Sequence, residues 1–360
     1  MSTCASFQIE HLQFLDAEGK LCAGVNPPPL AKDHKQLLEL YRQMLFVRVF
    51  DAKAVALQRT GKLGTYASSL GHEAVHVGIG SAMRPEDCFA PSYREYGAQF
   101  CRGVLAREVL MYWGGDERGN DYSGPRHDFA WCVPIATQCL HAAGAALSYK
   151  LRKQPRVAVC CVGDGGSSKA DFYGAINVTG AMTLPLVAVI INNQWAISVP
   201  RKAQTGAKTL AQKGIAAGLE SVQVDGNDVL AVRSAMDTAI ARARGGGGGT
   251  VIEAVTYRLA DHTTADDARR YRDDAEVKAA WAREPMKRLR AYLTAAKVWD
   301  DAREEAWKTD CAARVDIEVN AYLESKPQPV TAMFDYTYAE LPADLAQQRA
   351  QVLAAEQGSH

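Results

Sequence analysis

The chain has 360 residues, enough to bury the core of one large domain or two modest ones. Its 41 basic and 41 acidic residues cancel and no dense basic run occurs, so we expect neither nucleic acid nor an anionic membrane surface as a partner. No segment approaches about 18 uninterrupted apolar residues, and residues 1–20 contain no basic segment before an apolar core, which excludes a membrane span and a secretory signal. The nine cysteines form no Cys-x-x-Cys pair and predict reduced thiols in a cytoplasmic protein without a zinc site.

The first part of the chain predicts an arm followed by helices. Residues 1–33 have little periodicity and contain three consecutive prolines, which indicates an extended arm. Apolar residues then recur at helical spacing until Gly61, which is placed to end a long helix. A second helix starts near His72 and carries Glu73 and His76 on its first turns. The favoured interpretation is that Glu73 is a charge at the helix start and His76 a core residue. The alternative is that both are catalytic groups.

Two further segments carry candidate site residues. A short strand at residues 88–90 is followed by a helix start at Arg94, where a guanidinium can bind phosphate through two hydrogen bonds; a surface ion pair with Glu95 is the alternative. Residues 112–131 form a polar, glycine-rich segment of a length that is usually functional inside a compact domain. It contains His127, which is either a solvated loop histidine or a residue at the edge of a pocket.

The chain is organised around residues 157–200. Two short apolar runs, 157–162 and 184–191, are typical of strands buried on both faces of a parallel sheet, with one helix between them. The first run ends in Gly-Asp-Gly-Gly and the second in Asn-Asn-Gln-Trp. Because ligands bind at the carboxyl ends of parallel strands, Asp164 and Asn193 are expected at one edge of the sheet.

This pairing predicts a metal and phosphate site. A carboxylate and an amide oxygen beside the glycine-rich turn suit a magnesium ion that bridges to a diphosphate. Two ordinary turns are the alternative, because each fragment alone is a short motif. Gly-Asp-Gly, then 26 residues, then Asn-Asn is a far more specific combination.

The rest of the chain completes the predicted fold. Strands at residues 221–224 and 250–258 enclose a helix at 229–244, and the last strand leads into a polar loop with His262, at the same edge or in a solvated connection. We therefore expect an α/β protein with a doubly wound, mostly parallel sheet flanked by helices. The predicted division is an extended arm (1–33), a binding domain (34–275) and a helical region packed on that domain (276–360).

The chain resembles the alpha subunits of the thiamin diphosphate-dependent 2-oxo acid dehydrogenases, most closely that of pyruvate dehydrogenase. The resemblance runs from about residue 37 to residue 341 and rests on blocks in family order: TGKLGTYASSLGHEA, PSYREYG, WGGDERG, PIATQ, GDGGSSKADFYGAIN, NNQWAISVP, VDGNDVLAV, YRLADHTTADDARRYR and EPMKRLRAYL. It implies the thiamin diphosphate-binding fold, with thiamin diphosphate and Mg²⁺ as cofactors.

The resemblance also implies roles for individual residues. The metal ligands are Asp164, Asn193 and the carbonyl of Trp195; the other cofactor contacts are Tyr93, Arg94, Gly163, Gly165, Gly166, Val133 and Ile135, the last pair at the aminopyrimidine. His262 is similar to a histidine at the phosphate and the reacting carbon, and the loop of His127 closes over the cofactor. Both histidines are candidate catalytic groups, with pKa values expected near neutrality.

Three positions depart from the family pattern. Lys169 stands where relatives commonly have Glu or Gln, Gly174 where they have an acidic residue, and Ile191 where some have an arginine or glutamine at the phosphate. None of these changes removes a metal ligand. Because of these changes, Arg94 and His262 must balance more of the negative charge of the diphosphate.

The implied function is oxidative decarboxylation of a small 2-oxo acid, pyruvate first, and transfer of the acyl group to a lipoyl group on a dihydrolipoyl acyltransferase. The alpha subunits of branched-chain 2-oxo acid and acetoin dehydrogenases share the motifs and are alternatives; the DFYGAIN and VTAMFDYTYAELP segments favour pyruvate. Outside the family, the alternative is a magnesium-dependent nucleotide-binding module. Such a module predicts a GxxxxGK[ST] or a GxGxxG motif, and neither occurs in the sequence. Only one metal-binding sheet is predicted, and the family places the activating carboxylate on a separate beta chain. The resemblance therefore implies a chain that is inactive alone and works with a beta subunit, in an assembly of two alpha and two beta chains.

Overall fold

A parallel sheet lies at the centre of the protein, whose structure, a computed structural model, describes residues 2–357. Within these residues the strands are β1 Glu10–Leu12, β2 Cys88–Ala90, β3 Ala158–Gly163, β4 Leu186–Asn192, β5 Trp195–Ala196, β6 Val199–Pro200, β7 Glu220–Asp225 and β8 Thr250–Val255. Six of them pair in parallel in the order β1-β7-β8-β4-β3-β2, while β5 and β6 form a small antiparallel hairpin.

Helices cover both faces of the sheet. They are α1 His34–Arg59, α2 Glu73–Ala82, α3 Tyr96–Arg102, α4 Ala106–Trp113, α5 Thr137–Leu151, α6 Ala170–Ala181, α7 Arg201–Gln204, α8 Gln212–Ala216, α9 Val229–Arg244, α10 Asp274–Trp281, α11 Pro285–Ala295, α12 Asp301–Leu323, α13 Ala332–Asp335 and α14 Ala343–Gln357. The long helix α1 starts where the Asp33 side chain accepts a hydrogen bond from the backbone N–H of Gln36. It ends just before Gly61, whose φ of +70° interrupts the helix.

Alternate residues of the central strands enter two separate cores. Val159 and Cys161 of β3 pack in the layer that contains α1, α2 and α9. Cys160 and Val162 of the same strand pack in the layer that contains α5 and α6. Since both faces of β3 and β4 are buried, a continuous apolar run is required there rather than an alternating one. The predicted doubly wound α/β fold is confirmed.

Some elements differ from the sequence-based expectations. The N-terminal arm adds β1 to the sheet, where it pairs in parallel with β7. Helix α4 is absent from the predictions, and its end overlaps the segment 112–131 that was expected to be a loop. The tail packs on the body through α12, whose Cys311 and Val315 join a cluster with Phe50 of α1. The division into three parts stays a prediction.

The described part of the chain also bears on the expectations about membrane spans and cysteines. None of the helices within residues 2–357 is both long and apolar enough to cross a membrane. All nine cysteines are free thiols, and five of them are buried: Cys88, Cys139, Cys160, Cys161 and Cys311.

Candidate active site

A cleft of about 400 Å³ opens at the carboxyl ends of β3 and β4. Ten residues that the sequence singled out line it: Tyr93, Arg94, Ile135, Gly163, Asp164, Gly165, Gly166, Asn193, Trp195 and His262. They come from the loops before α3 and α5, from the ends of the two strands and from the loop after β8. The fold therefore brings together residues that are far apart in the sequence.

Two other predicted residues do not line this cleft. Val133 is 48% exposed, two residues before the cleft residue Ile135. His127 is exposed, next to Asp128, whose carboxylate is buried in a salt bridge with Arg102 at 2.5 Å. That salt bridge anchors the base of the loop. The roles of His127 and Val133 stay predictions.

Asp164 stands at the turn that follows β3, and it is 2% exposed. Its carbonyl accepts a hydrogen bond from Ser167 Oγ at 2.6 Å, and Lys213 Nζ donates to Ser167 O and Oγ at 2.8 Å each. Gln204 Nε2 donates to Asp164 Oδ2 at 2.5 Å. Burial raises the pKa of the Asp164 carboxyl above its usual range, and the hydrogen bond from Gln204 opposes this shift. A nearby cation would favour the ionised form.

Two glycines shape the turn. A Cβ on Gly163 would meet no atom within 4 Å, so the backbone there has open space beside it. A Cβ on Gly165 would lie only 2.4 Å from the Cβ of Ala196, so glycine at this position lets the β5–β6 hairpin approach the turn. The turn thus has room for an anion beside Gly163, while the β5–β6 hairpin packs closely against Gly165.

Asn193 and Trp195 follow β4 on the other side of the cleft. The left-handed φ of +76° at Gln194 turns the chain between them. Asn193 Oδ1 accepts a hydrogen bond from the backbone N–H of Trp195 at 3.2 Å. We call the Asp164 carboxylate, the Asn193 amide oxygen and the Trp195 carbonyl the ligand edge. All three are oxygen donors of the kind that Mg²⁺ prefers.

A positively charged group of side chains lies beside the ligand edge. Arg94 Nη2 donates to the His262 carbonyl at 2.9 Å and lies 3.3 Å from His262 Nδ1. Arg258 Nη1 lies 3.3 Å from the same Nδ1 and donates to the Trp195 carbonyl at 3.2 Å. We call Arg94, Arg258 and His262 the arginine wall. Both arginines are buried, at 6% and 0% exposure, so their charges are poorly screened by water.

The two guanidinium groups determine the protonation of His262. A guanidinium only donates, so Nδ1 must accept, and the proton of the neutral ring is on Nε2. Burial, followed by the charges of Arg94 and Arg258, lowers the pKa of His262 to about 3. This pKa lies below the range near neutrality that was expected for His262. A bound anion beside the arginines would shift this pKa upward again.

Arg94, Glu73 and His76 are all buried in the structure. Arg94 is not a surface ion-pair residue, because it is buried and its Nη1 donates to the Ser68 carbonyl at 2.5 Å. Glu73 is buried and pairs with Arg48 at 2.9 Å. His76 is fully buried, as its structural interpretation predicted, but it also lines the cleft, so the choice between its two roles stays a prediction.

Two of the departures from the family pattern, Lys169 and Ile191, line the cleft. Ile191 gives the cleft an apolar side chain where some relatives have a polar one. Arg258 adds a second positive charge beside that of Arg94, and the sequence had not indicated a role for it. Arg258 lies shortly after β8 and only four residues before His262, so its contact with that histidine is partly local.

His72 is the other residue that sequence reasoning missed. It lines the cleft, it is fully buried, and its Nε2 lies 3.2 Å from Asn193 Nδ2. Residues 72–76 read His-Glu-Ala-Val-His, the spacing of a zinc-protease helix. That pattern is coincidental here, since Glu73 is bound to Arg48, and residues 2–357 contain no group of three or more His, Cys, Asp or Glu that could hold a metal ion.

Comparison with known proteins identifies relatives over nearly the whole chain. Residues 41–331 match the family described as dehydrogenase E1 component. A 3-methyl-2-oxobutanoate dehydrogenase subunit alpha of Mycobacterium tuberculosis is 39% identical over 351 residues, 95% of each chain. A pyruvate dehydrogenase E1 component subunit alpha of Acholeplasma laidlawii is 37% identical over 336 residues, 92% of this chain and 96% of that one. The Staphylococcus epidermidis protein of the same name is 36% identical over 342 residues, 95% of this chain and 92% of that one.

Proposed function

The chain belongs to the family of dehydrogenase E1 components, oxidoreductases that use thiamin diphosphate, and we propose that it is the alpha subunit of a pyruvate dehydrogenase. In this proposal it decarboxylates pyruvate oxidatively and passes the acetyl group to a lipoyl group on an acyltransferase partner. The observation that carries the proposal is the meeting of the ligand edge with the arginine wall in one cleft.

The residues present fit a magnesium diphosphate. The ligand edge offers a carboxylate, an amide oxygen and a carbonyl, which is a hard-oxygen donor set. Gly163 has open space beside its backbone, and Arg94 of the wall brings buried positive charge to the same cleft. Asp164, Asn193 and Trp195 would hold the metal, and Arg94 with Tyr93 would hold the phosphates.

The side chains of this chain would hold the cofactor and donate hydrogen bonds at the reacting centre. Thiamin diphosphate, when bound, supplies the carbon nucleophile and the electron sink that decarboxylation of a 2-oxo acid requires. With Nδ1 held between two guanidinium groups, His262 carries its proton on Nε2 and can donate a hydrogen bond from it to a developing oxyanion. Arg94 also holds the His262 backbone, so the same side chain that binds phosphate positions this candidate hydrogen-bond donor.

A beta subunit completes the proposal. Residues 2–357 contain one parallel sheet and no second strand series of similar size, and we propose that a second domain, which binds the aminopyrimidine and carries the activating carboxylate, comes from another chain. Ile135 and Ile197, at 42% and 56% exposure, are exposed apolar side chains that line the cleft and suit burial by such a partner. We propose two alpha and two beta chains, in the cytoplasm, where nine free thiols are stable.

The second candidate substrate is a branched-chain 2-oxo acid. It is favoured by the similarity to the Mycobacterium tuberculosis protein, whose name specifies 3-methyl-2-oxobutanoate. Family membership removes the reason to propose a nucleotide-binding module.

Coexpression with a candidate beta chain tests the proposal. We expect decarboxylation of pyruvate that requires both chains, thiamin diphosphate and Mg²⁺, with slower turnover of 3-methyl-2-oxobutanoate. Faster turnover of the branched substrate would favour the second candidate. Full activity of this polypeptide alone would overturn the subunit proposal.

A further inference from the structure

His72 stands at the boundary between the loop after α1 and helix α2, with its ring beside the ligand edge. It is the N-cap residue of α2 and has 0% exposure. Its Nε2 lies 3.2 Å from Nδ2 of Asn193, which is 121 residues away in sequence. Asn193 is the one proposed metal ligand whose side chain has two chemically different ends, so its orientation matters.

The hydrogen bonds of the ring determine that orientation. His72 Nδ1 lies 3.2 Å from the Ser69 carbonyl, which can only accept, so Nδ1 carries the proton. The unprotonated Nε2 must then accept, and only the NH₂ end of the Asn193 amide can donate to it. The amide oxygen is therefore on the side away from His72, where it also accepts from the Trp195 backbone N–H at 3.2 Å.

We propose that His72 is a positioning residue that holds the Asn193 amide with its oxygen, rather than its NH₂ group, available to Mg²⁺. The inference rests on the proposed function, because it gives Asn193 the role of a ligand. A flipped amide would direct two N–H donors at the cation in place of a lone pair. Residues that orient metal ligands through such hydrogen bonds change metal affinity by about 10- to 100-fold when they are replaced.

The same helix supplies a matched control. His76 lies one turn further along α2, is also fully buried, and stacks on His72 with 5.4 Å between ring centroids and 13° between ring planes. Neither of its ring nitrogens has a hydrogen-bond partner among residues 2–357. Two imidazoles thus share burial, packing and a place in the lining of the cleft, but only His72 bonds to Asn193. A purely structural role would make both positions equally sensitive.

The experiment compares His72→Gln, His72→Met and His76→Met in the chain assembled with its beta partner. Glutamine and methionine have similar size and shape, but only glutamine offers an oxygen that can accept from Asn193. Thiamin diphosphate binding is followed by tryptophan fluorescence at a series of Mg²⁺ concentrations, which yields an apparent Mg²⁺ affinity without any turnover. Thermal unfolding of each variant checks that it folds.

We expect His72→Met to raise the Mg²⁺ concentration for half-saturation by about tenfold or more. His72→Gln and His76→Met should stay within about threefold of the wild type, because both changes keep the Asn193 amide oriented. Equal effects of His72→Met and His76→Met would overturn the inference, as would wild-type affinity in His72→Met. If His72→Met does not fold, a folded His72→Gln that needs tenfold more Mg²⁺ contradicts it, and one near wild type supports it. A wild-type complex that binds thiamin diphosphate without Mg²⁺ would instead refute the metal assignment itself.

Discussion

The ligand edge and the arginine wall meet at one cleft but are built in different ways. The two turns of the ligand edge depend on local contacts, since Ser167 bonds to Asp164 three residues away and Trp195 to Asn193 two residues away, although Asn193 also contacts His72, 121 residues away. The wall depends on a contact between Arg94 and His262, which are 168 residues apart. Strand-end geometry can therefore be predicted from a short segment, whereas the wall exists only once the whole chain has folded.

The largest effect should come from the ligand edge. Asp164→Ala removes the only carboxylate of the proposed ligand set, and we expect Mg²⁺-dependent thiamin diphosphate affinity to fall by more than about 100-fold, beyond the cost of an outer-shell change. Calorimetric titration of the complex measures it. Asp237→Ala, which alters an exposed carboxylate on α9, is the control and should bind normally. Normal affinity in Asp164→Ala would mean that the ligand edge does not hold the metal.

A smaller effect is expected at the wall. Arg94→Met removes charge-assisted hydrogen bonds worth about 1.5–3 kcal/mol, so the affinity for thiamin diphosphate should fall by about 10- to 100-fold. Because the metal ligands remain, the dependence on Mg²⁺ should be preserved. Arg84→Met, at an exposed side chain, is the matched control. If Arg94→Met abolished the Mg²⁺ dependence instead, the two regions would not be separable.

The wall should also respond to pH. The pKa of His262 is lowered to about 3, whereas an unfolded imidazole has its ordinary value near 6.5. The unfolded chain thus binds more protons between these values, so His262 contributes a loss of stability as pH falls from about 6.5 toward 3, and none above about 6.5. His262→Gln should flatten the profile by at most about 1.4 kcal/mol per pH unit, less because the ring is partly exposed. Denaturant titrations at pH 7, 6 and 5 measure this slope, and an unchanged slope would mean that His262 titrates normally.

The smallest effect on cofactor binding is expected outside both regions. His127 is exposed and does not line the cleft, so His127→Ala should leave thiamin diphosphate affinity within about twofold, as is usual for surface changes. Its predicted catalytic role then requires a fall in turnover at saturating cofactor. Steady-state kinetics of the assembled complex separate the two quantities, and unchanged turnover would return His127 to a solvated loop residue.

Sequence reasoning succeeded where a signal was contained in one segment. The apolar runs around Gly163 and Asn192 predicted buried parallel strands, and strand order then placed Asp164 and Asn193 at one edge. It failed for β1, because three residues in an arm become a strand only when β7 is beside them. His72 and Arg258 were missed for a related reason. Their sequence neighbourhoods indicate a helix start and a strand end, and their roles come from partners such as Asn193 and Trp195 that only the tertiary structure supplies.

One titration tests the central claim, that this chain contributes a metal-dependent diphosphate site to a shared cofactor cleft. Thiamin diphosphate is titrated calorimetrically into the assembled alpha and beta chains, once with Mg²⁺ and once with excess EDTA. We predict one cofactor bound per alpha chain with Mg²⁺ and no measurable binding in EDTA. Binding of equal affinity in EDTA, or no binding in either condition, would contradict the assignment of Asp164, Asn193 and Trp195.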